Sequence, residues 1–190
     1  HSGDLETTRI MARRNIDIFL EAQVDVIVTS SAGCGSNMKE YNELLKDDPV
    51  YFEKALTFSE LTQDITEFLA NLPVKIPNSN IQRKITYQDP CHLAHAQRIT
   101  SAPRQLLNAI PGIQLIEMED SSVCCGSAGI YSAVQPEVSN QILEDKLEKI
   151  AATNTKQVVT ANPGCMAQIK LGLEKNQSTT TVCHVVDLLD

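Results

Sequence analysis

Short β-branched runs alternate with longer amphipathic runs along this chain, and that alternation restricts it to α/β architectures with a mainly parallel sheet. Strands are expected at Val24–Thr29, Lys84–Gln88, Ile113–Met118, Gln157–Ala161 and Thr180–Cys183. Helices are expected between them, at Thr7–Ala22, Tyr51–Leu72, Leu93–Ala109 and Pro136–Ala152, where the apolar residues fall on one helical face. The stretch from Asn71 to Gln82 reads as a linker, with two prolines (Pro73 and Pro77) and the turn-formers Asn78, Ser79 and Asn80.

The chain also echoes itself. Ile27–Lys39 (IVTSSAGCGSNMK) aligns with Val158–Lys170 (VVTANPGCMAQIK) at a constant offset of 131 residues. Val28, Thr29, Gly33, Cys34 and Lys39 meet identical partners, and both segments run strand, turn, cysteine, helix. Two homologous halves are therefore expected, residues 1–75 and 84–190, joined by a linker at 76–83. Shifting Cys124 and Cys125 back by the same offset puts their counterparts before His1, so the first half reads as truncated. The chain starts without Met and ends inside the helix-like VVDLLD, which also reads as a fragment of a longer protein.

Composition excludes several classes. The formal charge of −8 and pI near 5.0, with the basic residues scattered along the chain, argue against nucleic acid as a partner. No apolar run reaches the roughly 18–20 residues of a membrane span, and the N-terminus has no signal-peptide core. No G-x-G-x-x-G or P-loop motif is present, and no residue has the look of a hydride or proton catalyst.

Six cysteines remain: Cys34, Cys91, Cys124, Cys125, Cys165 and Cys183. In a chain of this length without secretory features, thiolates used for metal fit better than a disulfide framework. Cys34, Cys91, Cys124, Cys125 and Cys165 each follow an expected strand. Asp89–Pro90 and Asn162–Pro163 are good helix starts, which puts Cys91 and Cys165 in first helical turns. Such turns present unpaired N–H groups that lower a thiol's pKa and hold anions. Gly126 and Gly129 allow close backbone approach at the cysteine pair. Loops at the C-terminal edge of a parallel sheet can thus gather Cys91, Cys124, Cys125 and Cys165 into one metal site. The adjacent pair, with the other two 33 and 40 positions away, leans towards an iron–sulfur cluster over the short knuckles of structural zinc, although four thiolates suit either. His92 and His95 either tune the metal or serve packing. His184 and Cys183 read as structural, and Glu117, Glu119 and Asp120 as a solvated loop or a docking patch.

The segments DPCHLAH, VCCGSAG and NPGCMAQI resemble the cysteine-rich CCG domain. That domain occurs twice in the iron–sulfur subunit of bacterial glycolate oxidase (glycolate dehydrogenase), and also in the B subunit of heterodisulfide reductase and in lactate-utilisation proteins. GDLETTRIMARRNID, SSAGCGSNMKEY and Asp48–Tyr51 are most similar to the first repeat of the glycolate oxidase subunit, and the rest to its second. The resemblance implies two CCG-type repeats and an electron-transfer role beside FAD-containing subunits, with FAD on those subunits only. Electrons would pass from glycolate or another 2-hydroxyacid towards a quinone or similar acceptor. It further implies a cytoplasmic location or a peripheral one on the inner face of the plasma membrane. The ligands of a [4Fe-4S] cluster would be Cys91, Cys124, Cys125 and Cys165, and Cys34 would belong to a first-repeat site. The alternatives are a heterodisulfide-reductase-like cluster protein and a structural zinc-binding docking module. The full pattern ends C-x-x-C, but here Met166, Ala167 and Gln168 follow Cys165, which counts against the heterodisulfide-reductase type.

Overall fold

The computed structural model describes residues 3–73 and 82–189. Most of the expected linker 76–83 lies outside them; Gln82 is irregular and Arg83 begins a strand. Two parallel sheets carry the fold. In the first, β1 (Ile27–Thr29) pairs with β2 (Thr62–Asp64). In the second, β3 (Arg83–Gln88), β4 (Ile113–Ile116), β5 (Gln157–Thr160) and β6 (Thr181–His184) lie in the order β4-β3-β5-β6. The α/β expectation holds, and every strand pair is parallel.

Helices α1 (Leu5–Glu21), α2 (Ala32–Lys39), α3 (Tyr41–Leu44), α4 (Phe52–Leu61) and α5 (Ile65–Ala70) surround the first sheet. Ala12, Ile16, Ile27, Tyr41 and Phe58 form its core, with the Tyr41 and Phe58 rings stacked at 5.1 Å. Around the second sheet run α6 (Ser101–Ala109), α7 (Tyr131–Val134), α8 (Pro136–Ala152) and α9 (Pro163–Lys175). Its central strands are buried, β3 from Ile85 to Gln88 and β5 from Val158 to Thr160, as parallel strands between helices must be. Ile85, Tyr87 and Val159 pack with Leu107 and Ile110 at the α6 side. Val158 packs with Leu143, Leu147 and Ile150 of α8 and Ile169 and Leu173 of α9.

Two expected helices are interrupted. Tyr51–Leu72 is α4, then β2, then α5. Thr62 ends α4 by donating its hydroxyl to Phe58 O at 2.8 Å, and Asp64 caps α5 through Thr66 N at the same distance. Leu93–Ala109 divides into a π-helical turn, His92–Ala96, and α6; Arg98 between them takes a left-handed φ of 58°. Pro103 supplies the reason: it is tolerated in the first turn of α6 but not inside a longer helix. The first and last strands are also shorter or shifted: β1 starts at Ile27 and β6 runs to His184.

The two sheets share an order of parts. A long helix leads into β1, and α2 follows; a long helix leads into β5, and α9 follows. β2 and β6 then each end in a residue that caps the next helical turn, Asp64 for α5 and His184 for Val185–Leu188. Among the described residues no helix is long and apolar enough to cross a membrane.

Asp64 is fully buried. Its Oδ1 accepts from Thr66 N and Oγ1, while Oδ2 has no hydrogen-bond partner among the described residues. Burial raises its carboxyl above the ordinary 3.8. The folded chain therefore keeps a proton that the unfolded chain releases. Its contribution to stability is greatest below the ordinary carboxylate range and is lost as pH rises towards the elevated value. Asp64→Asn, which keeps the Oδ1 cap, should flatten this decline in urea denaturation followed upwards in pH from the ordinary carboxylate range.

Candidate metal centre

The chain order sets where the site lies. From β3 the chain moves to β4 on one side, then returns to β5 on the other, so the sheet has its switch point beside β3. Crevices at the C-terminal ends of such strands are where α/β sheets bind ligands. Cys91 follows β3, Cys124 and Cys125 lie in the loop after β4, and Cys165 follows β5.

Cys91 stands at the head of the π-helical turn. Asp89 does not act as the expected cap. Its carboxylate takes Arg104 Nη1 and Nη2, each at 2.8 Å, and Ser121 Oγ at 2.7 Å, while its own N–H donates to Ser121 O. Arg104 also grips Glu117 from Nε and Nη2 at 2.9 Å. The Asp89 side chain is 3% exposed, so the carboxylate end of this bidentate pair is buried. It ties the end of β3 to the loop that delivers Cys124.

Lys146 holds the same loop from below. It lies on the inner face of α8, fully buried, and Nζ donates to the carbonyls of Asp120 at 2.8 Å and Ser121 at 3.3 Å. Burial lowers its pKa. Beyond the cysteine pair, Gly126 has φ 87°, and an added Cβ would come within 2.4 Å of Ser139 O. Here glycine is required by both conformation and space. Ser139 Oγ donates to Gly126 O and accepts from Gln168 Nε2, so the residue standing where the longer motif has its last cysteine is joined to the loop. Gly129 also has a positive φ, but a Cβ there would meet open space.

Cys165 is the third residue of α9. Asn162 occupies the N-cap position but makes no capping bond; its Nδ2 donates to Cys165 Sγ at 3.3 Å.

The structure brings the four thiols into one string. Neighbouring thiols interact in sequence, Cys91 with Cys124, Cys124 with Cys125, and Cys125 with Cys165. The neighbouring Cys125 and Cys91 thiols lower the Cys124 pKa, and Cys125 lowers that of Cys165. Cys91 and Cys125 are pushed up by the adjacent Cys124 sulfur and by burial. Backbone N–H groups of His92, Gly126 and Ser127 point at the sulfurs as well. The string runs inward: Cys91 and Cys124 are half-buried, Cys125 and Cys165 buried.

Among the described residues, no three Cys, His, Asp or Glu side chains are grouped to hold a single metal ion. Neighbouring sulfurs met by N–H donors have the chemistry of a thiolate metal site, and four thiolates suit an iron–sulfur cluster or zinc alike.

The remaining candidates lie apart or serve packing. Cys34 is third in α2, the place matching Cys165 in α9, but it is exposed and the interactions that link the other four do not include it. Cys183 is half-buried on β6, accepts from Gln157 Nε2, and burial raises its pKa to about 11. His92 Nδ1 lies 3.6 Å from Cys91 Sγ, and His95 Nε2 meets Ser122 O at 3.0 Å. His184 accepts from Val186 N at Nδ1, so its Nε2 carries the proton that goes to Ser30 O. Glu117 and Asp120 hold Arg104 and Lys149. Arg104, Lys146 and the sulfur bond of Asn162 were not anticipated. Lys146 did leave a signal, as a lysine in register with Leu143, Leu147 and Ile150 on the apolar face of α8.

Comparison with known proteins agrees with this geometry. A family model of the cysteine-rich domain CCG matches residues 1–39 and 85–170. The whole chain aligns at 40% identity with a probable glycolate oxidase iron-sulfur subunit of Bacillus subtilis (strain 168), covering 44% of that protein. It aligns at 32% with the glycolate oxidase iron-sulfur subunit of Escherichia coli (strain K12), covering 46%. It is also 32% identical to lactate utilization protein A of Shouchella clausii (strain KSM-K16), covering 79%. The chain thus spans less than half of the two glycolate oxidase subunits.

Two substitutions test the scaffold in urea denaturation. Gly126→Ala should cost upwards of about 1–2 kcal/mol from the left-handed backbone alone. Arg104→Met should cost about 2–4 kcal/mol at neutral pH by leaving the Asp89 carboxylate buried and unpaired.

Proposed function

The chain belongs to the cysteine-rich CCG domain family, and on that premise we propose that it is the electron-transfer part of an iron–sulfur subunit in a flavin-dependent 2-hydroxyacid dehydrogenase of the glycolate oxidase type. The observation that carries this reading is the gathering of Cys91, Cys124, Cys125 and Cys165 at the sheet's switch point, where each thiol shifts the pKa of its neighbour. Cys91, Cys124, Cys125 and Cys165 would hold one [4Fe-4S] cluster. When bound, such a cluster supplies a one-electron relay whose potential is set by its charge, its burial and the hydrogen bonds to its sulfurs. The chain's own part is to keep the four sulfurs deprotonated and fixed. The N–H groups of His92, Gly126 and Ser127 offset their charge, and the Asp89–Arg104 pair and Lys146 hold the loops in register.

In this reading residues 1–75 and 84–190 are two CCG-type repeats, supported by their shared order of elements and by the two matched segments. Cys34 would belong to a first-repeat site. FAD-containing subunits of the same dehydrogenase would deliver electrons at the half-buried Cys91–Cys124 end, and a quinone or similar acceptor would receive them. The complex would work in the cytoplasm or on the inner face of the plasma membrane.

Anaerobic reconstitution with iron and sulfide, followed by metal analysis and low-temperature EPR, tests the assignment. We expect about four irons per chain and a reducible signal that Cys124→Ser abolishes. Zinc alone, with no EPR signal, would sink the reading.

A further inference from the structure

One side chain joins the first half to the cysteine site. Asn162 stands at the N-cap of α9 with extended backbone (φ −147°, ψ 118°), yet its carboxamide leaves that helix's own N–H groups alone. On one side Nδ2 donates to Cys165 Sγ at 3.3 Å. On the other, Oδ1 accepts from Ser31 Oγ at 3.3 Å and from the Gly33 N–H at 3.4 Å, both at the head of α2 in the first half. Ser31 is the residue that corresponds to Asn162 at the offset of 131. Equivalent positions of the two halves are therefore bonded to each other, and one of them is bonded to a thiol of the site.

The surroundings leave room for this amide and little else. An added Cβ on Gly164 would lie 3.3 Å from Asn162 Nδ2 and 3.2 Å from Ser127 Oγ, so a glycine there lets the amide fold back to Cys165. A Cβ on Gly33 would touch Asn162 Oδ1 at 4.0 Å. With Oδ1 fixed by two donors, the amide cannot flip without presenting Nδ2 to a hydroxyl and an N–H, so the face turned to sulfur is the donor face. His184 Nε2–H to Ser30 O and Gln97 Nε2 to Ala32 O hold the same junction at 3.0 Å.

We propose that Asn162 is a positioning residue through which the first half sets the electronic environment of the cysteine site in the second. The inference rests on the reading that Cys165 holds an iron–sulfur cluster. An N–H aimed at a ligand sulfur stabilises the more negative, reduced state and so raises the potential. Among the described residues no hydrogen bond joins the Ser31 hydroxyl to a sulfur of the site; it acts by fixing Oδ1.

A double-mutant cycle on the reconstituted chain tests this, with the midpoint potential read by redox titration and iron and sulfide measured on every sample. Asn162→Ala should lower the potential with iron content unchanged. Ser31→Ala should lower it by less, and should have no effect in the Asn162→Ala background. Asn162→Asp, which keeps the acceptor for Ser31 and Gly33 and loses the donor to sulfur, gives the same direction if the alanine variant does not fold. An unchanged potential in Asn162→Ala or Asn162→Asp, or an equal Ser31→Ala effect with and without Asn162, overturns the proposal. Should metal analysis find zinc and no sulfide, the functional reading falls by itself. The same cycle, read as zinc affinity against a chelator, then decides the role of Asn162: equal affinities in all variants overturn it.

Discussion

Sulfurs in mutual contact cannot all carry charge unless the surroundings compensate for it. Much of the second half is arranged around that constraint. Part of the compensation is internal: Cys91 and Cys125 are pushed to hold their protons while Cys124 and Cys165 are pushed to release theirs. A metal group would take the place of those protons, which is why thiolate sites load at the expense of bound hydrogen ions. The fixed donors then matter most, because backbone N–H groups and the Asn162 amide cannot be titrated away.

Holding such a site requires rigid loops, and the rigid parts are charged ones in buried positions. Arg104 spans from α6 to Asp89 and Glu117, so that the loop after β3 and the loop after β4 share one guanidinium. Lys146 reaches from α8 to two carbonyls of the second loop. Neither cation touches a thiol by a hydrogen bond of its own, yet both fix the backbone whose N–H groups do. A deficit in either would be felt as misplaced donors before it was felt as lost charge.

Much of this was legible in the sequence. The strands stood out because β-branched runs are bounded by turns, and the four thiols because each follows such a run. β2 was hidden: Thr62–Gln63–Asp64 is three polar residues between two amphipathic helices, and only its pairing with β1 makes it a strand. The break before α6 was written in Pro103 but outweighed by the apolar spacing around it. Asp89 and Asn162 looked like caps because their residue types and following prolines are those of caps. Tertiary partners, Arg104 for one and Cys165 with Ser31 for the other, draw the side chains elsewhere, and no local rule reveals partners that lie far along the chain.

The strand order has a consequence for how the molecule comes into being. β3 is the first strand of its sheet to be synthesised, yet it lies in the interior: Thr86 pairs with Ile116 on one side and with Val158 on the other. Contacts so distant along the chain close slowly, because the intervening loop must be ordered before it is rewarded. Cys91 therefore leaves the ribosome long before Cys165 has a place to stand. Until β5 docks, the thiols are separate nucleophiles on an open chain, and an oxidant or stray metal ion meets them singly. The clock against which a maturation system must work is thus the closure of a parallel sheet, not the arrival of metal.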